Sequence, residues 1–182
     1  MIQWYYLMLI PIIFGTFASI TEKKALFKEH AMEFSAVFAI IIAGLSLLLV
    51  PFFDFNFPLY FWPIIYIASV LGATAFLFIA KATRHLELSK SSPLFTFNPI
   101  ITAVLAWIVL KEGLGLNQII GIIIIFIGSY FLELHHEKSF LKELITPFKV
   151  MIKSRYVHFM LFAMFLYSLT GLIDRYLLNS SN

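Results

Sequence analysis

Asn98 and Pro99 lie inside one of the most apolar stretches of the chain, Ser91 to Leu114, "SSPLFTFNPIITAVLAWIVLKEGL". A carboxamide there needs a hydrogen-bonding partner, and a proline removes one backbone donor and frees carbonyls. Such positions line cavities in broken transporter helices; equally, the proline can pack against a neighbouring helix and Asn98 bond to it. The reading from sequence is a kink within a span that begins near Pro93, with Thr96, Asn98 and Thr102 offering donors and acceptors on loosely one face. The remaining intramembrane polar groups are few: Thr16 and Ser19, Tyr66, Ser69 and Thr74, and Ser168 and Thr170. The chemistry of this set is recognition by hydrogen bonding. A hydroxyl can equally be satisfied by the carbonyl four residues before it in its own helix.

Groups for proton transfer or covalent chemistry are missing from the apolar runs. No charge sits at the middle of a run, where an Asp, Lys or Arg costs about 2.5–3.5 kcal/mol on insertion scales. Glu22, Lys23, Asp174 and Arg175 fall near run ends and are gate candidates or boundary residues whose side chains reach the headgroups. His135, His136 and Glu137 are adjacent, without a third ligand spaced to close a metal site. There is no cysteine, no H-E-x-x-H, no G-x-S-x-G, no phosphate-binding loop and no dinucleotide fingerprint. No catalytic residue, metal or cofactor is therefore assigned, and the chain does not read as an enzyme.

The elements that must position these groups follow from composition. The 182 residues are 61% apolar, 18% aromatic and 13% charged, against roughly 45–50% apolar and 25% charged in a soluble domain. Such a chain belongs in a bilayer. Six segments are long enough to cross about 30 Å of hydrocarbon: Gln3 to Thr21, Glu33 to Phe53, Pro58 to Ala80, Pro93 to Leu110, Gln118 to Leu134 and Val157 to Leu178. The first has no basic leader or cleavage signature and reads as a retained span. Ala39 and Ala43, Ala68 and Gly72, and Gly121 and Gly128 recur at four or seven residues, spacing that suits close helix packing. The fold class is all-α, a polytopic membrane helix bundle.

The longest connection, residues 135–156, places Phe140, Leu144, Phe148 and Met151 between lysines and suits either a basic amphipathic helix at the interface, broken at Pro147, or an ordinary linker between two bundles. Lysines and arginines concentrate in the connections after spans one, three and five, which puts those on the cytoplasmic side and the N-terminus outside. Their scatter between apolar runs, at a net charge of +3, argues against nucleic acid as a partner.

A weak repeat adds to this. Phe17 to Leu26, "FASITEKKAL", laid over Leu169 to Leu178, "LTGLIDRYLL", aligns Glu22 with Asp174 and Lys23 with Arg175. Five spans separate the copies, so the second enters the bilayer inverted, a recurring design of secondary transporters. The run Ala80 to Leu134 has an Ala-rich end of span three, a proline in span four, Leu110-x-Glu112, Asn117-Gln118 and a glycine-bearing fifth span. With Gly15 and the basic residues at the end of span one, it resembles an EamA domain of the drug/metabolite transporter superfamily.

That resemblance implies a five-helix repeat over residues 1–134, the linker, and the first helix of a second repeat over 157–182. Together these would be the first part of a ten-helix inverted-repeat fold around a central cavity. The implied function is a secondary transporter, or permease, moving a small organic metabolite by alternating access, with a non-transporting membrane subunit as the alternative. The implied partners are a small-molecule solute, the lipid bilayer, and either the remaining helices of the second repeat or a homo- or hetero-dimer partner. The implied location is a prokaryotic plasma membrane. The cavity candidates are Thr16, Ser19, Tyr66, Thr74, Thr96, Asn98, Pro99, Thr102 and Ser168. Because the sequence stops four spans short of the family pattern, it is expected to be a fragment or a short form completed by a partner.

Overall fold

Helices α1 (Trp4–Lys28), α2 (Ala31–Leu47), α3 (Phe61–His85), α4 (Asn98–Leu110), α5 (Leu116–Glu133) and α6 (Arg155–Ser181) follow one another in the computed structural model. It describes residues 4–52, 58–87, 94–111, 113, 115–133 and 154–181. Among the described residues there is no strand. Most of the linker expected at 135–156 lies outside them, although Arg155 and Tyr156 already belong to α6. Helices α3 and α6 are long and apolar enough to cross a membrane, with mean hydropathy 2.1 and 1.7 in their best windows. Helices α2 and α4 are shorter and apolar.

Each helix begins and ends where local chemistry allows. After α2, Pro51 sits in a short 3-10 turn, Val50–Phe52, where it cannot continue the helical ladder. Pro63 falls in the first turn of α3, where an amide has no intrahelical partner to lose. Gly115 precedes α5, and the Gln118 side chain reaches back to accept from its backbone N–H at 2.9 Å, one half of a capping box. Helix α4 closes on Lys111, a non-glycine residue with φ of 54°, in the left-handed region usually given to glycine.

The core is the contact of α6 with α3 and α4. On α3, Ala68, Gly72, Ala75, Ile79, Ala82 and Leu86 step by three or four residues and form one stripe. Of these, Ala75 and Ala82 are wholly buried. On α6, Val157, Met160 and Met164 meet Ala82, Leu86 and Leu94, while Ala163 and Leu166 meet Ala75 and Ile79. A β-carbon placed on Gly72 would lie 4.0 Å from Thr170 Cγ2, so the two helices approach closely there. The small-residue spacing on α3 thus does what it indicates.

Other small-residue pairs do not. Ala39 and Ala43 face outward, and α2 docks instead through stacked rings of Phe34, Phe38 and Phe76, with centroids 5.0–6.3 Å apart. A β-carbon at Gly121 or Gly128 would meet nothing within 4 Å among the described residues.

The kink expected at Pro99 falls a turn earlier: Leu94 and Phe95 are helical, and Thr96 and Phe97 form a turn that interrupts the span. Helix α4 starts at Asn98, so Pro99 occupies its first turn, preceded by a turn at Thr96 and Phe97. Proline is well suited to that place. Its missing N–H is one of the four a helix start leaves unpaired anyway, and its fixed φ favours helix initiation. The amides of Ile100 and Ile101 both donate to Phe97 O at 3.0 Å. The helical path thus breaks at Thr96 and Phe97 and restarts at Asn98, from which α4 runs to Leu110.

Candidate functional site

Because α4 starts at Asn98, its first turn faces the middle of α6. Thr102 Oγ1 lies 2.8 Å from Ser168 Oγ and 2.9 Å from the Asn98 backbone oxygen. Ser168 Oγ is 3.4 Å from Asn98 Oδ1. Ser168 is 1% exposed, yet two hydroxyl protons serve this whole set of acceptors. The hydroxyls can run as a relay in either direction: Thr102 donates to the Asn98 carbonyl while Ser168 donates to Thr102, or Thr102 donates to Ser168 while Ser168 donates to Oδ1.

Hydrogen bonds between membrane helices couple by about 0.6 kcal/mol on average. That is small beside the burial of Leu94, Met160 and Met164 at the same contact, where each large side chain contributes about 1.5–3 kcal/mol in water and packing plays the equivalent role in lipid. Apolar packing holds α4 to α6. The polar cluster contributes little to the stability of that contact.

Next to the cluster is a cavity of about 460 Å³ between α4, α5 and the far half of α6. Pro99, Thr102 and Ala103 wall one side, Gln118 and Gly121 another, and Arg175 a third. Of the residues singled out from sequence, the structure gathers Asn98, Pro99, Thr102, Ser168 and Arg175 in this region. Thr96 lies in the turn just ahead of it. Ala103, Gln118 and Gly121 were not assigned to a cavity. Their signal was the open side left by a glycine and small side chains at helical spacing on facing helices.

The other candidates do not converge. Thr16, Ser19 and Thr74 donate to the carbonyls of Ile12, Gly15 and Val70 at 2.7–2.9 Å, each four residues back. Tyr66 is 70% exposed on the outer surface. Asp174 is also exposed.

Lys23 departs most from expectation. Its side chain does not reach out to the headgroups but is 5% exposed. The ammonium donates to the backbone oxygens of Thr83, Arg84 at 3.2 Å and Leu86 at 2.6 Å, and lies 4.5 Å from the Phe27 ring centre. These carbonyls close the end of α3, where a helix leaves orphan acceptors and partial negative charge. Three donors meet three acceptors. Neighbouring Glu22 buries Oε1 with no hydrogen-bond partner among the described residues.

Residues 2–134 match the model of the EamA-like transporter family. The chain belongs to that family, whose members are membrane transporters built as helical bundles. No curated protein and no solved structure matches the chain.

Proposed function

We propose that the chain is part of a secondary transporter that carries a small organic metabolite across a prokaryotic plasma membrane by alternating access, and does so as a carrier without catalysing a reaction. Residues 1–134 form one five-helix repeat and 157–182 open a second, inverted one, completed by further helices or a partner. The solute occupies the cavity between α4, α5 and α6. What carries this reading is the Asn98, Thr102 and Ser168 cluster, an exchangeable hydrogen-bonding set beside a cavity, in a chain of a transporter family. Among the described residues lining the cavity, one cation, Arg175, stands with two neutral polar side chains, Thr102 and Gln118, in an otherwise apolar wall. Such a lining suits an uncharged, zwitterionic or amphipathic solute.

The experiment is uptake from a metabolite extract by proteoliposomes containing the full-length protein, read by mass spectrometry. At least one small organic solute should accumulate, and Asn98→Ala with Ser168→Ala should slow it without loss of folded protein. If nothing accumulates beyond empty liposomes, the chain is a non-transporting membrane subunit instead.

A further inference from the structure

A second cavity, of about 660 Å³, lies at the opposite end of the α3–α6 contact, where the loop after α1, the end of α3 and the start of α6 converge. Among the described residues lining it, Lys81, Arg84 and Arg155 stand against a single carboxylate, Glu33. Among the described residues none of the three cations forms an ion pair with a carboxylate. Each is instead held by a neutral neighbour. Arg84 Nη1 donates to His30 Nδ1 at 2.8 Å. Arg155 Nη2 donates to the Tyr156 hydroxyl at 2.8 Å, with its guanidinium 4.8 Å from that ring. Lys81 Nζ lies 5.6 Å from the Phe78 ring centre. The His85 ring, whose Nδ1 donates to Lys81 O at 3.0 Å, stacks on Tyr156 at 4.1 Å and 6°.

Two cationic side chains are thus braced by rings or a tyrosine hydroxyl and one by a histidine, and no carboxylate among the described residues pairs with them. A planar guanidinium presents more donors than a single partner uses, and the natural complement is a phosphodiester. The cavity also has an apolar side. Met32 is 64% exposed at its edge and Phe159 is half-buried in its wall, a surface suited to acyl chain rather than to water. All contributing segments are helix ends, which in a bundle of spanning helices lie at headgroup depth. Basic helix ends face the anionic cytoplasmic leaflet.

We infer that this cavity binds the headgroup of an anionic phospholipid, with the phosphodiester among Lys81, Arg84 and Arg155 and an acyl chain along Met32 and Phe159. The lipid would bridge α3 and α6 at the basic end of the bundle. This inference is independent of the solute cavity, which lies beyond the middle of α6.

The test is native mass spectrometry of the full-length protein released from vesicles of equal parts phosphatidylcholine and phosphatidylglycerol. Phosphatidylglycerol should be retained over phosphatidylcholine by about tenfold or more, given the gain expected per basic residue near an anionic surface. Lys81→Gln, Arg84→Gln and Arg155→Gln together should abolish that preference. Glu33→Gln, which leaves the cations and the helix contacts in place, should strengthen it and so keeps the test decisive if the triple variant folds poorly. Equal retention of the two lipids, a preference unchanged in these variants, or displacement of the bound lipid by millimolar inorganic phosphate would overturn the assignment. The last result would make it a site for a free anion.

Discussion

Replacing Lys23 by Met removes the ammonium while keeping most of its unbranched length. Three carbonyl oxygens at the end of α3, those of Thr83, Arg84 and Leu86, lose their donor. A buried acceptor left unsatisfied costs about 1–3 kcal/mol, so three would cost about 3–9 if all stayed dry. Two effects reduce this. Desolvation of the ammonium, itself several kcal/mol, no longer opposes folding, and water can reach Arg84 O at the partly buried edge. The expected net loss is about 2–4 kcal/mol. For a chain of this size that corresponds to roughly 4–16 °C in melting temperature. Thermal unfolding in detergent, followed by circular dichroism, reads it directly. Lys24→Met is the control, because Lys24 is exposed and an exposed lysine should matter by about 0.5 kcal/mol or less. Lys23→Arg should recover only part of the loss, since a flat fork cannot address three carbonyls as three rotatable donors can. Equal melting temperatures for Lys23→Met and Lys24→Met would refute the account of α1 as clamped to the end of α3.

Two further substitutions test the packing and the helix end. Ala163 is wholly buried against Ala75 and Ile79, so Ala163→Leu should force α3 and α6 apart and destabilise the protein by about 1–3 kcal/mol or more, seen as a lower melting temperature. Lys111 holds a left-handed backbone at the end of α4, and Lys111→Gly should stabilise by about 1 kcal/mol in the same assay, since glycine has no β-carbon to oppose that conformation.

The helices themselves were legible because long apolar runs have few alternatives in a bilayer. Span four is interrupted inside its expected bounds, at Thr96 and Phe97 rather than at Pro99 itself. Leu94, Phe95 and Phe97 are as apolar as the helix that follows, so hydropathy alone joined them to it. The Asn98-Pro99 pair was the better guide, since proline is favoured in the first turn of a helix and disfavours helical backbone in the residue before it. Thr102 and Asn98, one turn apart, could be paired from sequence, but Ser168 could not. Its place beside them depends on the register of α6 against α4, which no local pattern encodes. That Thr16, Ser19 and Thr74 bond to their own helices could not be read beforehand, because such bonds show no signature in sequence. Lys23 was misread for a similar reason. A lysine at the end of an apolar run usually marks the boundary, and only the approach of α3, some sixty residues later in the chain, turns it into a cap.

The cysteine-free sequence makes the central claim, that solute passes the Asn98, Thr102 and Ser168 cluster, open to one direct measurement. Thr102→Cys puts a thiol on the cavity wall where these 182 residues have none, and the unsubstituted protein labelled in parallel is the control. In proteoliposomes that take up an identified solute, a membrane-impermeant thiol reagent should label this position, block uptake, and be slowed by the solute itself. Full labelling with uptake unchanged and no protection by solute would contradict the account.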